Sequence, residues 1–519
     1  MKSPKKLLAV FCLLFGVGAM AQVPNIDAVN QTNFQAQTHF LTFLGSFKPE
    51  SPTSAAAYYA AVDPYNQKVT FQQWLVSAGF IANEGQWHST GRQVIACDLG
   101  TAGGCDIPAH NPDGSLVYGD NIINTGSHVI ILNAADLGFV RNQFVRCVPS
   151  CRATNPLIYT YLENYPVFPY TKNGTRFGDP SGTGAGFPSQ SEANDAIQSA
   201  ITRPSTAGLE RIADVAFDWT PPATNPTSST RFGKQFAYFF HDVGGVITET
   251  RNWPNDQAFI DSANQRTDFP PLFPVVAGQP FAPDLDFRGF KQMPGLCLIC
   301  HGGKPQKLTS TGAFPNGGNI GGFRFLPLDA VNLMFATDPS DPLSRPRQEA
   351  AMKFYNQQVL QTVSKSKEND GTGTYRGAHL AEVIRGWYAN FPGDQNMTSP
   401  TAHDDFTPVG WVGHEDLYHN TVVTACRSCH FNREISLDFG TYANFKQESD
   451  MLQLTLLPQC DNSHPDPKLR PMPAAHLTYQ RYWSNRTDPN SNRPAQDLPG
   501  YIAQNFGFAS TAGYCASNP

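Results

Sequence analysis

Two short segments of this chain place two cysteines and a histidine at the same spacing. Motif 1 occupies residues 297–301 (Cys-Leu-Ile-Cys-His), and motif 2 occupies residues 426–430 (Cys-Arg-Ser-Cys-His). Two thiols three residues apart on a turn of helix can each bond one vinyl group of a haem, and the adjacent histidine then lies under the iron as its first axial ligand. The sequence therefore predicts two covalent c-type haems. The residues predicted to hold them are Cys297, Cys300, His301, Cys426, Cys429 and His430.

The four motif cysteines also fit a zinc site made of two Cys-x-x-Cys pairs. A zinc site explains the thiols, but it does not explain a histidine directly after each pair. Haem is therefore the favoured interpretation, and zinc is the alternative.

The second axial ligand of the motif 2 iron has one good candidate. Met472 lies 42 residues after His430 and is flanked by two prolines, which is an unusual setting for a methionine in a helix core. A thioether ligand raises the potential of a haem. His476 and His464 are the alternatives.

The motif 1 iron has a less certain second ligand. Met334 follows His301 by 33 residues in an apolar segment that has the pattern of a helix, so core packing is nearly as good an explanation as ligation. An open or water-bound iron is a third alternative. Further candidates are Met352, His241, His379 and His403.

The N-terminus has the pattern of a cleaved export signal. Three lysines precede an apolar stretch over residues 7–17, and Ala-Met-Ala at residues 19–21 predicts the cleavage site. The apolar stretch is too short to span a membrane. We expect residues 1–21 to be removed and the mature protein to be periplasmic or secreted, without a transmembrane anchor.

Six cysteines remain after Cys12 of the signal and the four motif cysteines are set aside. An even number of cysteines in an oxidising compartment predicts disulfides. We expect two local bridges and a third that ties down the C-terminal tail, and cross-pairing within the first four cysteines is the alternative. The expected pairs are Cys97–Cys105, Cys147–Cys151 and Cys460–Cys515.

Composition and local pattern predict an α+β fold. Charged residues make up 15% of the chain and aromatic residues 12%, which is typical of a packed, loop-rich protein, and the net charge of −6 argues against nucleic acid as a partner. Residues 22–285 read as a β-rich, loop-rich domain with disulfides, because short β-leaning runs, such as 128–132, 213–217 and 236–240, alternate with turn-forming segments. Residues 286–400 and 401–519 read as two mainly helical, cytochrome c-type haem domains, with helical patterns over 345–365, 376–391 and 414–429.

Residues 286–490 resemble a group of secreted bacterial di-haem cytochrome c proteins of unassigned function. Besides the two motifs, the resemblance is carried by Phe-Leu-Pro-Leu-Asp at residues 325–329, Gly-Trp-Tyr at 386–388 and the segment 472–483. The segment 136–141, with Cys147 after it, is similar to the front domain of the same group. The resemblance implies haem attachment and names no substrate.

Two better-known classes resemble the chain in arrangement only. Di-haem cytochrome c peroxidases and rubber oxygenases also carry two such motifs more than a hundred residues apart, and here the separation is 129 residues. Both classes use one haem for chemistry and the other for electron transfer. Their catalytic side chains have no matching positions in this chain, so the likeness is a weak guide to activity.

Three functions remain open at this point. The first is an exported electron carrier that exchanges single electrons with a redox partner protein or a small-molecule donor or acceptor. The second is an oxidoreductase of peroxidase or oxygenase type with an open iron at motif 1, so whether the chain is an enzyme is undecided. The third is a protein that mainly binds a surface or polymer through its loop-rich front domain.

Replacing Met472 with alanine tests the predicted thioether ligand. We expect Met472→Ala to lower the reduction potential of the motif 2 haem, because the iron loses a ligand that raises its potential. Redox titration of the purified protein, followed by visible absorption, measures the change. His476→Ala and His464→Ala serve as comparisons, and an unchanged spectrum and potential in Met472→Ala would rule out the assignment.

Overall fold

The protein is described by a computed structural model. It describes the following residues: 51–80, 126–133, 139–149, 151, 153–166, 200, 213–243, 246–253, 277–280, 292–303, 306–336, 338–340, 343–363, 377–433 and 437–447.

Within these ranges the structure is α+β, as predicted, and its strands form one antiparallel sheet in the order β6-β5-β4-β3-β2-β1-β7. In this order, each of the strands β1 to β6 pairs with the strand next to it along the chain. The strands are β1 Gly126–Asn133, β2 Phe139–Val148, β3 Leu157–Pro166, β4 Ala213–Thr220, β5 Phe232–Val243, β6 Val246–Thr250 and β7 Leu333–Met334.

Helices precede and follow the first six strands. They are α1 Pro52–Val62, α2 Phe71–Ala78, α3 Gly295–His301, α4 Arg345–Val363, α5 Ala378–Trp387, α6 Glu415–Leu417, a π-helix Tyr418–Cys426, α7 Arg427–His430 and α8 Tyr442–Gln447. Single 3₁₀ turns cover Pro315–Gly318, Ala330–Asn332 and Val409–Trp411. In the part of the chain that the structure describes, no helix is both long and apolar enough to cross a membrane.

Several local predictions are confirmed. The three β-leaning runs at residues 128–132, 213–217 and 236–240 lie in β1, β4 and β5. The helical pattern over residues 345–365 corresponds to α4, and the pattern over 376–391 corresponds to the shorter α5. These segments were predictable because their apolar residues recur at the period of the element that they form.

The first two helices were not predicted from the sequence. Both begin with a capping box: Ser51 exchanges hydrogen bonds with Ser54, and Thr70 does the same with Gln73. Such a box satisfies backbone N–H groups that would otherwise lack partners at a helix start. The caps were the available signal, since both helices are short and an apolar periodicity is hard to see over so few turns.

Helix α2 covers one face of the sheet, here called the α2 face, which carries Tyr159, Tyr161 and Asp218. Trp74 of α2 donates a hydrogen bond from Nε1 to the Asp218 carboxylate at 2.7 Å, and Lys68 forms an ion pair with the same carboxylate. The Trp74 ring also packs edge-on against both tyrosines. This contact gives the buried aspartate both a hydrogen bond and a counter-charge, as a buried charge requires.

The opposite face of the sheet, here called the motif face, carries a row of paired residues across four strands. Val145 on β2 lies beside Thr160 on β3, which lies beside Phe217 on β4 and then Gln235 on β5. Helix α4 packs on part of this face, where the Tyr355 hydroxyl lies near Thr160. The two faces are distinct because successive residues of a strand point to opposite sides.

Described residues from both sides of the predicted domain boundary at residue 285 contribute to the same sheet and core. Strand β7 comes from residues after 285, yet it pairs with β1 through Leu132 and Met334. Buried apolar residues from before and after residue 285 belong to one contiguous cluster. The predicted boundaries at 285 and 400 stay predictions.

The helical pattern predicted over residues 414–429 is present, but most of it is wound as a π-helix. The N–H of Arg427 donates to the carbonyl oxygen of Val422, five residues earlier, as in π geometry. The Thr424 hydroxyl also bonds back to the Asn420 carbonyl at 2.9 Å. Such widened turns in helices are often found at functional sites, and this one leads directly into motif 2.

One of the three expected disulfides lies within the described residues. Cys147 and Cys151 are joined, as predicted, at the end of strand β2. The other two expected pairs, Cys97–Cys105 and Cys460–Cys515, lie outside the described residues, as does the expected signal segment 1–21.

Removing the Cys147–Cys151 bridge should lower stability modestly. For a loop this short, the chain-entropy model gives a loss of about 2 kcal/mol in the free energy of unfolding for a Cys147→Ser/Cys151→Ser variant. Urea unfolding followed by circular dichroism measures the loss. An unchanged midpoint and slope relative to the unmodified protein would contradict the expectation that this bridge stabilises the end of β2.

Candidate functional site

The histidine of motif 1 is the last residue of helix α3 and is held on two sides. His301 donates from Nδ1 to the carbonyl oxygen of Arg324 at 2.8 Å. Its ring stacks on Phe323, with 5.0 Å between ring centroids, and contacts Phe217 of the motif face at 4.6 Å. Burial lowers the pKa of His301 to about 4. The imidazole is therefore neutral at pH 7, and its Nε2 atom is unprotonated.

The histidine of motif 2 is held in the same way by different residues. His430, the last residue of α7, donates from Nδ1 to the carbonyl oxygen of Leu437 at 2.8 Å. Its ring stacks nearly parallel on Phe439, with 4.0 Å between centroids. Burial lowers the pKa of His430 to about 3. A backbone acceptor on Nδ1 fixes the ring and its tautomer, which is the usual support of a metal-binding histidine.

The two motif helices are in direct contact. The Sγ atoms of Cys300 and Cys429 lie 3.0 Å apart, although 129 residues separate them in the chain. Two buried arginines also connect the segments around the two motifs: Arg324 donates to the Asn432 carbonyl oxygen, and Arg433 donates to the Leu298 carbonyl oxygen, each at 3.3 Å. These contacts, here called the motif junction, join the two sites into one.

A glycine directly after motif 1 makes the junction this close. Gly302 adopts φ +75°, and a Cβ placed there would lie 2.2 Å from the Asn432 carbonyl oxygen. A side chain at this position would therefore meet both an unfavourable backbone conformation and a backbone clash. Gly302, the first of the two glycines after motif 1, therefore allows the two segments to pack this closely.

A buried ion pair anchors motif 2. Arg427 donates from Nε and Nη2 to the two carboxylate oxygens of Asp329, at 2.9 and 2.7 Å, and from Nη1 to the Tyr418 hydroxyl. Its guanidinium lies over the Trp387 ring at 5.1 Å. Both charged side chains are almost fully buried. Arg427 is therefore fully engaged by a carboxylate of the chain itself.

Zinc, the alternative group, would need the four motif cysteines to converge on one ion. Among the described residues, no three His, Cys, Asp or Glu side chains converge as ligands of one metal ion, whereas structural zinc needs four. Each motif presents two thiols and one neutral imidazole within about one helical turn: motif 1 lies in α3, and motif 2 runs from the last residue of the π-helix through α7. This set fits one covalent haem per motif, with His301 and His430 as axial ligands.

Two buried amide side chains beside the motifs also fit an additional group. Gln235 and Asn432 are at most 1% exposed, and both polar atoms of each side chain lack a hydrogen-bond partner within the described structure. Gln235 lies next to Phe217 on the motif face, and Asn432 lies at the motif junction. Buried amides without partners are rare and call for an explanation, such as a bound group.

Met334, the predicted second ligand of motif 1, lies in strand β7 at the edge of the sheet and not in a helix. Three strands separate β7 from β4, whose Phe217 contacts His301. At the usual strand spacing, the distance across the sheet is roughly 19 Å. The residue just before this strand, Asn332, instead bonds the Val423 carbonyl oxygen on the helix leading to motif 2. Ligation by Met334 stays a prediction, and this placement does not favour it.

Four of the other candidate ligands of the two irons lie within the described residues, and three lie outside them. His379 is 3.6 Å from the Asp438 carboxylate, beside the segment that holds His430, and Met352 is buried in α4. His403 is exposed, and His241 lies on β5. Met472, His464 and His476 lie outside the described residues, so the predicted ligand of motif 2 stays a prediction.

The sequence alone did not indicate the residues that support the histidines. Phe323, Phe439 and the carbonyl groups of Arg324 and Leu437 lie at different distances along the chain from the histidine that they hold. No fixed spacing therefore exists that could have identified them. The one partial signal was Asp329, which belongs to a segment singled out by resemblance and proves to bind Arg427 of motif 2.

Comparison with known proteins adds no family. No protein-family model, no curated protein and no solved structure matches this chain.

The buried pair of Arg427 and Asp329 gives a stability test of the motif 2 anchor. We expect Asp329→Asn to reduce the free energy of unfolding by about 3–5 kcal/mol, because it leaves the arginine charge buried without a counter-charge. The matched control is Asp404→Asn, which breaks the partly exposed pair with Arg345 and should cost less than about 1 kcal/mol. Urea unfolding of the two variants measures the difference, and equal losses would contradict the anchoring role.

Proposed function

We propose that this chain is an exported di-haem c-type cytochrome that carries out one-electron transfer. Motif 1 and motif 2 would each hold one haem through two thioether bonds, with His301 and His430 as axial ligands. In this proposal, residues 22–285 form a β-rich unit that supports two mainly helical haem-binding segments. The signal pattern at residues 1–21 supports export to the periplasm or beyond.

The observation that carries the proposal is the 3.0 Å contact between Cys300 and Cys429. In the proposal these cysteines would be attachment points of two different haems, so the junction would bring the two haems to the same place in the molecule. Electron transfer between cofactors needs such proximity, whereas two independent binding sites do not. The contact therefore favours a redox function over a structural role for the haems.

The haems, when bound, would supply reversible one-electron chemistry between ferric and ferrous iron. The chain would orient the two imidazoles and keep water away from them. The carbonyl groups of Arg324 and Leu437 orient the imidazoles, and the stacked rings of Phe323 and Phe439 keep water away from them. A buried, apolar setting and the hydrogen bond on Nδ1 are two means by which a protein tunes a haem potential.

The proposed partner is a redox protein or a small-molecule electron donor or acceptor. The net negative charge of the chain is compatible with a basic partner protein and does not favour nucleic acid.

A second candidate is a di-haem oxidoreductase of peroxidase or oxygenase type with an open iron at motif 1. The position of Met334 favours this alternative, because the strand that carries it lies across the sheet from the strand that contacts His301. Electrons would then be exchanged through the motif 2 site, where Met472 remains the proposed second ligand.

Haem content is the first test of the proposal. We expect the purified protein, produced by export in a bacterium competent for covalent haem attachment, to contain two haems per chain that resist acid–acetone extraction. The pyridine haemochrome spectrum measures them. A Cys426→Ala/Cys429→Ala variant should retain one, and a protein without covalent haem would refute the proposal.

Ligand binding then separates the two candidate functions. Two low-spin electron paramagnetic resonance signals and no change in absorption with carbon monoxide would support the electron carrier. A high-spin signal together with carbon monoxide binding by the reduced protein would support the oxidoreductase. The single-haem variant assigns the signal to a motif.

A further inference from the structure

Gln235 lies on the motif face of the sheet, in the immediate surroundings of motif 1. It pairs across the strands with Phe217, whose ring contacts His301. Gly233 precedes it on the same face, and a Cβ at that glycine would lie 1.8 Å from the Phe323 ring. Phe323 in turn stacks on His301. Gln235 therefore lies beside the two aromatic rings that enclose the motif 1 histidine.

The backbone of Gln235 is satisfied by a different group. Its N–H donates to the hydroxyl of Tyr58 on helix α1 at 2.9 Å, which caps the part of β5 that β6 does not cover. The side chain, in contrast, is fully buried, and neither its oxygen nor its nitrogen has a hydrogen-bond partner among the described residues. Burying an amide without a partner costs free energy, so an apolar residue would be the more stable choice here.

Other amides on the same face are satisfied by the chain itself. The Asn164 side chain donates to the Ala213 carbonyl oxygen at 3.0 Å and accepts from Arg141. Gln143 lies near the Tyr355 hydroxyl and is not among the buried side chains without a partner. Gln235 thus differs from its neighbours on the motif face, and the difference occurs at the end of the face that adjoins motif 1.

We propose that the Gln235 carboxamide is a positioning group of the motif 1 site, and that its Nε2 donates a hydrogen bond to an anionic acceptor of the group bound there. The proposal rests on the proposed haem attachment. Two acceptors share this chemistry: a propionate oxygen of the haem, and a small anion held at its iron. A neutral amide donor suits a buried anion, because it binds the charge without adding a second charge to the site.

The test compares the holoprotein with its Gln235→Leu variant. Gln143→Leu is the matched control, because it also removes a buried amide of the motif face, but one that lies near a tyrosine hydroxyl of the chain. Haem content, the reduction potential of each haem and the dissociation constant of cyanide from the oxidised protein are measured for all three proteins.

The two acceptors predict different results. If the acceptor is a propionate, Gln235→Leu should lower the potential of the motif 1 haem by about 59 mV, which is tenfold in a one-electron equilibrium, and leave cyanide affinity unchanged. If the acceptor is an anion at the iron, cyanide affinity should fall about tenfold, with the potential unchanged. Gln143→Leu should change neither quantity.

A second variant covers the case in which Gln235→Leu does not incorporate haem. Gln235→Glu keeps the shape of the side chain and places a carboxyl group beside the anionic acceptor, so it should lower the same quantity. Two haems per chain with unchanged potential and cyanide affinity in the variants would overturn the assignment of Gln235. A wild-type protein without covalent haem would instead refute the proposed function, so the two failures are distinguishable.

Discussion

The contact between the two motif helices is the constraint on which the rest of the site depends. Cys300 and Cys429 touch, and the arginines that follow each motif reach across to a carbonyl oxygen of the other segment. Gly302 leaves room for this approach because no side chain separates the two backbones. Any group attached to one motif therefore has the other motif as a neighbour, and the two sites cannot be considered separately.

The motif face of the sheet, which α2 does not cover, contacts motif 1. Helix α2 and its aromatic residues occupy one face, where Trp74 and Asp218 are bonded. The opposite face is shared by helix α4 and motif 1, with Phe217 against His301. The front part of the chain, which has no haem motif, thus forms one wall of the motif 1 site. Burial against this wall lowers the pKa of His301, so the imidazole is neutral. The same wall carries Gln235, whose side-chain amide has no hydrogen-bond partner among the described residues.

Prediction from the sequence succeeded where a residue acts through its local pattern. The motif helices, the three β-leaning runs, helix α4 and the Cys147–Cys151 bridge involve residues close together in the chain, so their spacing carries the information. The expected helix around Met334 was wrong, because its apolar neighbours look helical in sequence but lead into a strand paired with β1. That pairing is decided by a distant partner, since a two-residue strand has no period of its own.

The sequence by itself determined the chemistry that is available: two sets of thiols and an imidazole, each set on one turn of helix, in a chain with an export signal pattern. Only the tertiary structure decided where these groups lie. It placed the motifs in contact, paired Arg427 with Asp329 and set beside Phe217 the Gln235 side chain, which has no hydrogen-bond partner among the described residues. The physical reason is that a covalent motif acts over a single helical turn, whereas burial, stacking and charge pairing depend on residues that are distant in the chain and meet only in the packed core.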